Sequence, residues 1–170
     1  MRPDLAQPGR SPPRAGAAVA IVTGGSFDVG RAVAQSLGRR GLAMVVVYLD
    51  CQRRVEATVE GILAVRASAV AVRADLGDEL DVERLFAESV AAFGGVDVIV
   101  RTAPETASLL CRHAARHLRR GGWIVGVPTA ELTPEIEQEL LERGVTIDEA
   151  AKDAAEMIAS VDHWQRTTGR

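Results

Sequence analysis

The sequence predicts an α/β protein with a doubly wound parallel sheet of about five strands, in the order 3-2-1-4-5, and helices on both faces. Short apolar runs alternate with stretches of helical periodicity from residue 17 onward, which is typical of this fold class. The run at 43–48 is continuously apolar, as expected for a strand buried on both faces. The first run passes directly into a glycine turn and a helix. Right-handed crossovers then give the strand order.

Local patterns predict the individual elements. The first strand lies at 17–22, and the helix at 31–40 has Val33, Ala34 and Leu37 on one face and ends at Gly41. Thr133 and Pro134 are good residues for the cap and the first position of a helix. The alternation further predicts strands at 43–48, 69–74, 96–101 and 123–127 and helices at 53–66, 80–93, 105–120 and about 147–160.

The two ends of the chain differ from its middle. Residues 1–14 hold four of the seven prolines together with arginines, so we predict a disordered leader there. A single domain is predicted at 15–170, with a polar tail at 163–170 that frays. Hydrophobic residues make up 47% of the 170 residues, which supplies the core of one domain.

Charge and cysteine usage restrict the partners. The net charge is −3 and the basic residues are scattered, so neither nucleic acid nor a membrane surface is an expected partner. The two cysteines, Cys51 and Cys111, do not have zinc-site spacing. No apolar run approaches the ~20 residues that a membrane-spanning helix needs. We expect a cytoplasmic protein that holds no metal and binds a small-molecule ligand or a partner protein.

The segment 23–30 reads TGGSFDVG and follows the first strand. A strand that ends at glycines and leads into a helix leaves unpaired backbone N–H groups at the positive end of the helix dipole, where an anion can bind. This pattern predicts a phosphate-binding turn. The residues assigned to cofactor binding in this turn are Gly24, Gly25, Ser26, Val29 and Gly30.

Asp28 places a carboxylate where a nucleotide pyrophosphate would approach most closely. Two like charges ~4 Å apart repel by about 1 kcal/mol in water and about 4 kcal/mol at an effective dielectric near 20. The larger value lowers affinity about a thousandfold. Three orientations stay open: the carboxylate points to solvent, faces the phosphate, or acts as a catalytic or substrate-anchoring group.

With this turn, the chain resembles the short-chain dehydrogenase/reductase family. The resemblance continues through RAVA after the turn, Asp75 and Leu76 after the third strand, DVERLFAESVAAFGGVDVIV and RHLRRGGWIV, and covers most of 17–128. The segments DEAAKDAAEMIAS and TTGR are similar to the family's C-terminal helix and final turn. The resemblance implies a Rossmann-like fold and NAD or NADP as cofactor, with binding weakened by Asp28.

The chain departs from the family pattern at functional positions. Asp28 replaces the middle glycine of T-G-x-x-x-G-x-G, and 101–104 reads RTAP where the family has Asn-Asn-Ala-Gly. Between 104 and 121 there is room for one helix instead of two. The Tyr-x-x-x-Lys segment has no counterpart, because Tyr48 and Lys152 are the only residues of their types. In the family this tyrosine protonates the carbonyl oxygen, and such acid catalysis is typically worth ~10²–10⁴-fold. We therefore expect no ordinary carbonyl-reductase activity.

Three further residues follow the second and third strands. Asp50 lies about 20 residues beyond Gly30, the spacing at which an acid accepts a hydrogen bond from a ribose hydroxyl. Arg53 and Arg54 instead suit a 2′-phosphate. Asp75 matches the family's adenine-side aspartate, and it equally suits a helix cap.

Arg101 and Thr129 lie at the other side of the predicted crevice. Arg101 ends an apolar strand and either holds an acidic ligand or forms an internal ion pair with Asp28 or Glu105, and we favour the ion pair. Thr129 keeps a hydroxyl near the position of the family's catalytic serine. The catalytic candidates are thus Asp28, Arg101 and Thr129.

The predicted helix at 105–120 carries two further features. His113 and His117 have the i, i+4 spacing of a metal site, but neighbouring arginines favour a solvated basic face. The helix also matches the region through which family members pair, so a homodimer is expected.

Three functions remain open from the sequence. The first is a binding or accessory protein that keeps the nucleotide crevice without reductase chemistry, in other words a pseudoenzyme. The second is an acid–base enzyme of a biosynthetic pathway that uses the same crevice. The third is an atypical NAD(P)-dependent oxidoreductase.

Overall fold

The computed structural model describes residues 14–102 and 107–170. Its centre is a six-stranded parallel sheet with the order β3-β2-β1-β4-β5-β6. The strands are β1 (Val19–Val22), β2 (Ala43–Tyr48), β3 (Ala69–Arg73), β4 (Val96–Val100), β5 (Leu118–Val125) and β6 (Thr146–Asp148). The helices are α1 (Asp28–Arg39), α2 (Gln52–Ala64), α3 (Glu79–Phe93), α4 (Ser108–His117), α5 (Pro134–Glu142) and α6 (Ala154–Thr168), with a 3₁₀ turn at Thr129–Glu131.

Helices cover both faces of the sheet. Successive strand residues point to opposite faces, so Ile21 packs with α3, α4 and α5, whereas Val22 packs with α1, α2 and α6. Every residue of β1 and β4 is buried. The predicted doubly wound, Rossmann-like fold is therefore confirmed, and β6 is an addition at the edge of the predicted order.

The helix predicted at 105–120 is wrong at its C-terminal end. α4 ends at His117 and β5 begins at Leu118, which is buried and pairs with Val96. The next pair in register is Val98 with Trp123, so β5 has extra residues that bulge from the ladder. Gly121, with φ +74°, belongs to this bulge.

The predictions for the last 25 residues are also corrected. The segment predicted to start a helix at 147 begins as β6, where Ile147 pairs with Ile124. α6 starts after Asp153, whose side chain accepts the Glu156 N–H at 2.8 Å. The tail predicted to fray is helical through Thr168, because the buried Trp164 anchors it and donates its indole N–H to the Gly121 carbonyl at 2.9 Å.

Asp97 ties the amino-terminal edge of the sheet together. Its side chain is 1% exposed, and it accepts the Val19 N–H at 2.9 Å. Arg119 in the β5 bulge and Arg170 each donate to it, at 2.8 and 2.7 Å. A buried carboxylate requires such partners, since an unpaired charge in the core is very costly.

In the part of the chain that the structure describes, no helix is long and apolar enough to cross a membrane.

Replacing Gly30 by alanine tests the packing of the first turn of α1. A Cβ atom there would collide with the Gly24 carbonyl oxygen and lie 2.9 Å from the Thr102 hydroxyl oxygen. We expect Gly30→Ala to lower the free energy of unfolding by about 1–3 kcal/mol, measured by urea denaturation. Gly61→Ala is the matched control, because a Cβ on this α2 glycine meets only the flexible side chain of Gln35. It should instead be neutral or stabilise by up to ~1 kcal/mol. Equal unfolding midpoints for Gly30→Ala and wild type would contradict this account of the turn.

Candidate functional site

The glycine turn between β1 and α1 is fixed to the neighbouring strand β2. The Gly25 N–H donates to the Val47 carbonyl at 2.9 Å, and a Cβ on Gly25 would collide with the Val46 side chain. The buried Thr58 hydroxyl, on α2, donates to the Gly25 carbonyl at 3.0 Å. Gly24 has φ +66°, in the left-handed region that favours glycine. Only a glycine-rich sequence can bring the turn this close to the sheet.

The same turn is joined to the end of β4. The Thr102 N–H donates to the Thr23 hydroxyl at 3.2 Å, and the Thr102 hydroxyl donates to the Thr23 carbonyl at 2.6 Å. β1 and β4 are the two strands at which the order of the sheet reverses, and ligands of doubly wound folds bind outside such a switch point. These two hydrogen bonds, both donated by Thr102 to Thr23, therefore close the base of the crevice.

An open pocket of about 220 Å³ lies beside the turn, at the carboxyl ends of β1, β2 and β3. Four predicted cofactor residues line it, namely Gly24, Ser26, Asp50 and Asp75. The remaining lining residues are Phe27, Val47, Tyr48, Leu49, Cys51, Arg54, Ala74 and Leu76. The pocket thus combines apolar walls with two carboxylates and one arginine.

The pocket residues are held by local hydrogen bonds. The Ser26 hydroxyl donates to the Asp50 carbonyl at 2.9 Å, which links the glycine turn to the end of β2. An Asp75 side-chain oxygen accepts the Gly77 N–H at 2.9 Å. The cap of α3 is Asp78, which accepts from the Asp81 N–H, so the cap role considered for Asp75 is wrong.

Other predicted residues of the turn do not line the pocket. Gly25 is buried beneath it against β2, and Gly30 is buried in the first turn of α1. Val29 is 41% exposed. Val29 and Gly30 belong to the first turn of α1, where the leading N–H groups have no intrahelical partner, whereas the Gly25 N–H is already bonded to the Val47 carbonyl.

Asp28 is the first residue of α1, and its side chain is exposed. Among the described residues it forms no hydrogen bond or ion pair. No side chain caps α1, so the Asp28 carboxylate is the charge that faces the positive end of this helix dipole. An anionic ligand at the same helix end would compete with it.

Arg101 forms an ion pair with Glu131, a residue that the sequence did not point to. It is 8% exposed, pairs with Glu131 at 3.3 Å, and donates to the Gly126 carbonyl at 3.3 Å. The predicted internal ion pair is therefore present, but the partner shown is Glu131 instead of Asp28, while Glu105 lies outside the described residues. Nothing in the sequence marks Glu131 as this partner, because the 3₁₀ turn after β5 brings it there.

Cys111 lies next to this ion pair and is buried. Burial raises the pKa of its thiol to about 12, with Arg101 opposing the shift and Glu131 adding to it. The thiol therefore stays protonated at neutral pH and is not an activated nucleophile.

Thr129 is bound to a neighbouring carboxylate. Its hydroxyl and its N–H both donate to Glu149 at 2.8 Å, and these two bonds hold the pKa of Glu149 below its usual range. The hydroxyl proton is thus engaged within the protein. Catalytic roles for Asp28, Arg101 and Thr129 stay predictions, and each of the last two already has an internal partner.

Tyr48 and Lys152 are far apart in the sheet. Tyr48 ends β2 and lines the pocket, whereas Lys152 is exposed between β6 and α6. β1, β4 and β5 lie between β2 and β6, so four strand spacings of ~4.8 Å separate these strands by about 19 Å. The two residues therefore do not form the proton-donating pair of the family.

The two histidines of α4 also differ from the predicted solvated face. His113 is 5% exposed and stacks between α3 and α4, 6.3 Å from Phe86 and 6.1 Å from His117. Its Nε2 lies 3.4 Å from a Glu79 carboxylate oxygen. The prediction holds only for the exposed His117, whose pKa is lowered mainly by burial of its ring. Within 14–102 and 107–170, no three histidine, cysteine or acidic side chains group into a possible metal site.

Comparison with known proteins identifies the family. The sequence model of the short chain dehydrogenases matches residues 18–123, and the chain belongs to this family. Versicolorin reductase 1 of Aspergillus parasiticus is 34% identical over 130 residues, which cover 63% of this chain and 50% of that protein. The short chain dehydrogenase claC of Passalora fulva is 39% identical over 89 residues, covering 52% of this chain and 33% of that one. The chain spans about half the length, or less, of these curated relatives.

Solved structures share the fold. A dehydrogenase/reductase from Sinorhizobium meliloti 1021 superposes with a TM-score of 0.67 at 24% identity, covering 87% of both chains. A short chain dehydrogenase from Burkholderia cenocepacia J2315, in complex with NADP, gives a TM-score of 0.63 at 28% identity, covering 75% of this chain and 71% of that one.

The match to versicolorin reductase 1 also contains a gap. It spans 130 positions but only 63% of the 170 residues here, which is about 107, so about 23 positions have no counterpart.

The Arg101–Glu131 contact predicts a stability effect. Removing one partner of a buried ion pair typically costs about 3–5 kcal/mol, and the Glu131 side chain is 34% exposed, so we expect Arg101→Met to cost about 1–3 kcal/mol. The measurement is the free energy of unfolding in urea. Arg112→Met is the control, because Arg112 is 43% exposed and lies 3.7 Å from Glu79 in a surface pair worth about 0–1 kcal/mol. An Arg101 variant as stable as wild type would show that the arginine is not held for structural reasons.

Proposed function

We propose that this chain binds NAD(P) in the pocket beside its glycine turn, and that it acts as a binding or accessory protein without ordinary carbonyl-reductase activity of its own. The pocket at the carboxyl ends of β1, β2 and β3 is the observation that carries the proposal. Family membership supports it, as does the NADP complex of the Burkholderia cenocepacia relative at 28% identity.

Each polar residue of the pocket suits one part of an adenine nucleotide. Asp50 and Arg54 both line the pocket, where the carboxylate would accept from ribose hydroxyls and the arginine would provide a cation for a phosphate on that ribose. Asp75 lies at the end of β3, on the side proposed for adenine, where the apolar side chains of Leu49 and Leu76 provide a surface for a ring. Both NAD and NADP therefore remain candidates.

The pyrophosphate would lie at the N-terminus of α1, beside Asp28. Because this carboxylate is exposed, water screens it, and the repulsion falls toward the lower value of about 1 kcal/mol. Binding is then weakened about fivefold instead of a thousandfold. Asp28 reduces affinity without abolishing it.

The absence of a Tyr–Lys pair supports an accessory role. A second candidate is an atypical oxidoreductase that takes its proton from another subunit or from the substrate. The relatives, which are named as reductases and dehydrogenases, favour it. The acid–base enzyme considered from the sequence is less well supported, because Arg101 and Thr129 are engaged by Glu131 and Glu149.

Pairing of two copies through α4 stays a prediction. Five of the ten α4 residues are buried, and α3 and α5 pack against this helix. Its exposed residues are Arg116 and His117. The surface left for a partner is therefore small and basic.

Calorimetric titration tests the binding proposal. We expect wild type to bind NAD⁺ or NADP⁺, and Asp28→Asn to bind about fivefold more tightly, because the variant loses ~1 kcal/mol of repulsion but keeps the side-chain size. Glu60→Gln is the control, since it removes an exposed carboxylate of α2 that does not line the pocket. The proposal fails if neither dinucleotide binds wild type or Asp28→Asn.

An activity assay tests the second half of the proposal. Purified protein with NADPH or NADH and simple ketones or quinones should oxidise the cofactor no faster than a protein-free control, because Tyr48 and Lys152, the chain's one tyrosine and one lysine, do not form the family's acid pair. Tyr48→Phe and Lys152→Met should leave that background unchanged. Turnover that disappears in either single variant would instead establish a reductase.

A further inference from the structure

The open pocket occupies one side of the sheet only. Its lining comes from the turn after β1, from the ends of β2 and β3, and from the start of α2. Among the described residues, which omit 103–106 of the turn after β4, none from β4, β5 or the turns that follow them is among its walls. The pocket therefore has room for the adenosine half of a dinucleotide on the β1–β3 side.

The β4–β5 side is occupied by contacts within the protein. Arg101 pairs with Glu131 and donates to the Gly126 carbonyl. The second Glu131 oxygen accepts the Ala107 N–H at 3.3 Å. A ligand that enters here must separate a largely buried cation from its carboxylate, which leaves a desolvated charge.

Polar groups at the neighbouring positions are also paired. The Thr129 hydroxyl and N–H both donate to Glu149. The Thr102 hydroxyl donates to the Thr23 carbonyl and lies against Gly30. Among the described residues of this side, the nicotinamide half of a dinucleotide would find few donors that are not already used, so it would gain little in exchange for the contacts it breaks.

The boundary between the β1–β3 side and the β4–β5 side of the sheet carries a negative charge. The exposed Asp28 carboxylate stands at the N-terminus of α1, where a ligand that extends from the pocket toward β4 must place its pyrophosphate. Each phosphate charge added there increases the repulsion. The structure thus favours a ligand that ends near this helix.

We propose that nucleotide affinity resides entirely in the adenosine half, so that the ligand class is adenine mononucleotides, with NAD(P) bound only through its AMP part. This inference rests on the proposed function, because it concerns the same pocket. It goes further, because it assigns no part of the binding free energy to contacts with the nicotinamide riboside. A protein of this kind responds to adenine nucleotides in general and not to the redox state of the dinucleotide.

Comparing the affinities of matched ligands tests the inference. By calorimetry, AMP and ADP should bind wild type within threefold of NAD⁺, and adenosine 2′,5′-bisphosphate within threefold of NADP⁺, while nicotinamide mononucleotide should not bind. Asp50→Ala should weaken AMP and NAD⁺ by the same factor, since both use the same ribose contact. A dinucleotide that binds ten times more tightly than its mononucleotide would overturn the inference and leave the proposed function intact.

Saturation-transfer NMR on NAD⁺ gives an independent readout without any variant. Magnetisation should reach the adenine H2 and H8 protons and should be absent from the nicotinamide H2 and H4 protons. Transfer to the nicotinamide ring would refute confinement to the adenosine half while still showing that a dinucleotide binds. If none of the nucleotides binds, both the inference and the proposed function are wrong.

Discussion

The close approach of the glycine turn to three neighbouring strands is the constraint on which the site depends. The turn leaves β1, touches β2 through the Gly25 N–H and the Val47 carbonyl, and is tied to β4 by the paired threonines Thr23 and Thr102. Any side chain at Gly25 or Gly30 would push the turn away from the sheet. Because the turn lies close to the sheet, space for a ligand remains on the outer side of the turn. The unpaired N–H groups at the start of α1 face that space.

Charges at the two edges of the sheet are balanced within the protein. At the amino-terminal edge, Asp97 is enclosed by Arg119, Arg170 and the Val19 N–H. At the carboxyl edge, Arg101 is held by Glu131. A charged residue in an otherwise apolar stretch of sequence often indicates a functional site. When that residue has an ion-pair partner within the protein, its role is structural. Asp28 is different, since it is exposed, unpaired among the described residues, and located where a ligand phosphate would bind.

The connection between β4 and β5 is tied to distant parts of the fold. α4 has ten residues and passes directly into β5, whose bulge carries Arg119 to Asp97 and presents the Gly121 carbonyl to Trp164. The segment between β4 and β5 is thus integrated into the packing of α6 and of the amino-terminal edge. Tyr48 ends β2 and Lys152 lies beyond β6, four strands further along the sheet, so these two residues do not form a pair.

The sequence alone determined the order of five strands, the glycine turn and the location of the crevice. These features follow from apolar runs, helical periodicity and glycines at turns, all of which are local properties of a sequence. It also placed Gly24, Ser26, Asp50 and Asp75 beside one another, since parallel strands bring their carboxyl ends to one edge. Tertiary structure decided the rest. The start of β5 at Leu118 depends on pairing with Val96, the order of the tail depends on burial of Trp164, and the state of Arg101 depends on Glu131, thirty residues away. Such outcomes follow from contacts between distant segments, which no local pattern records.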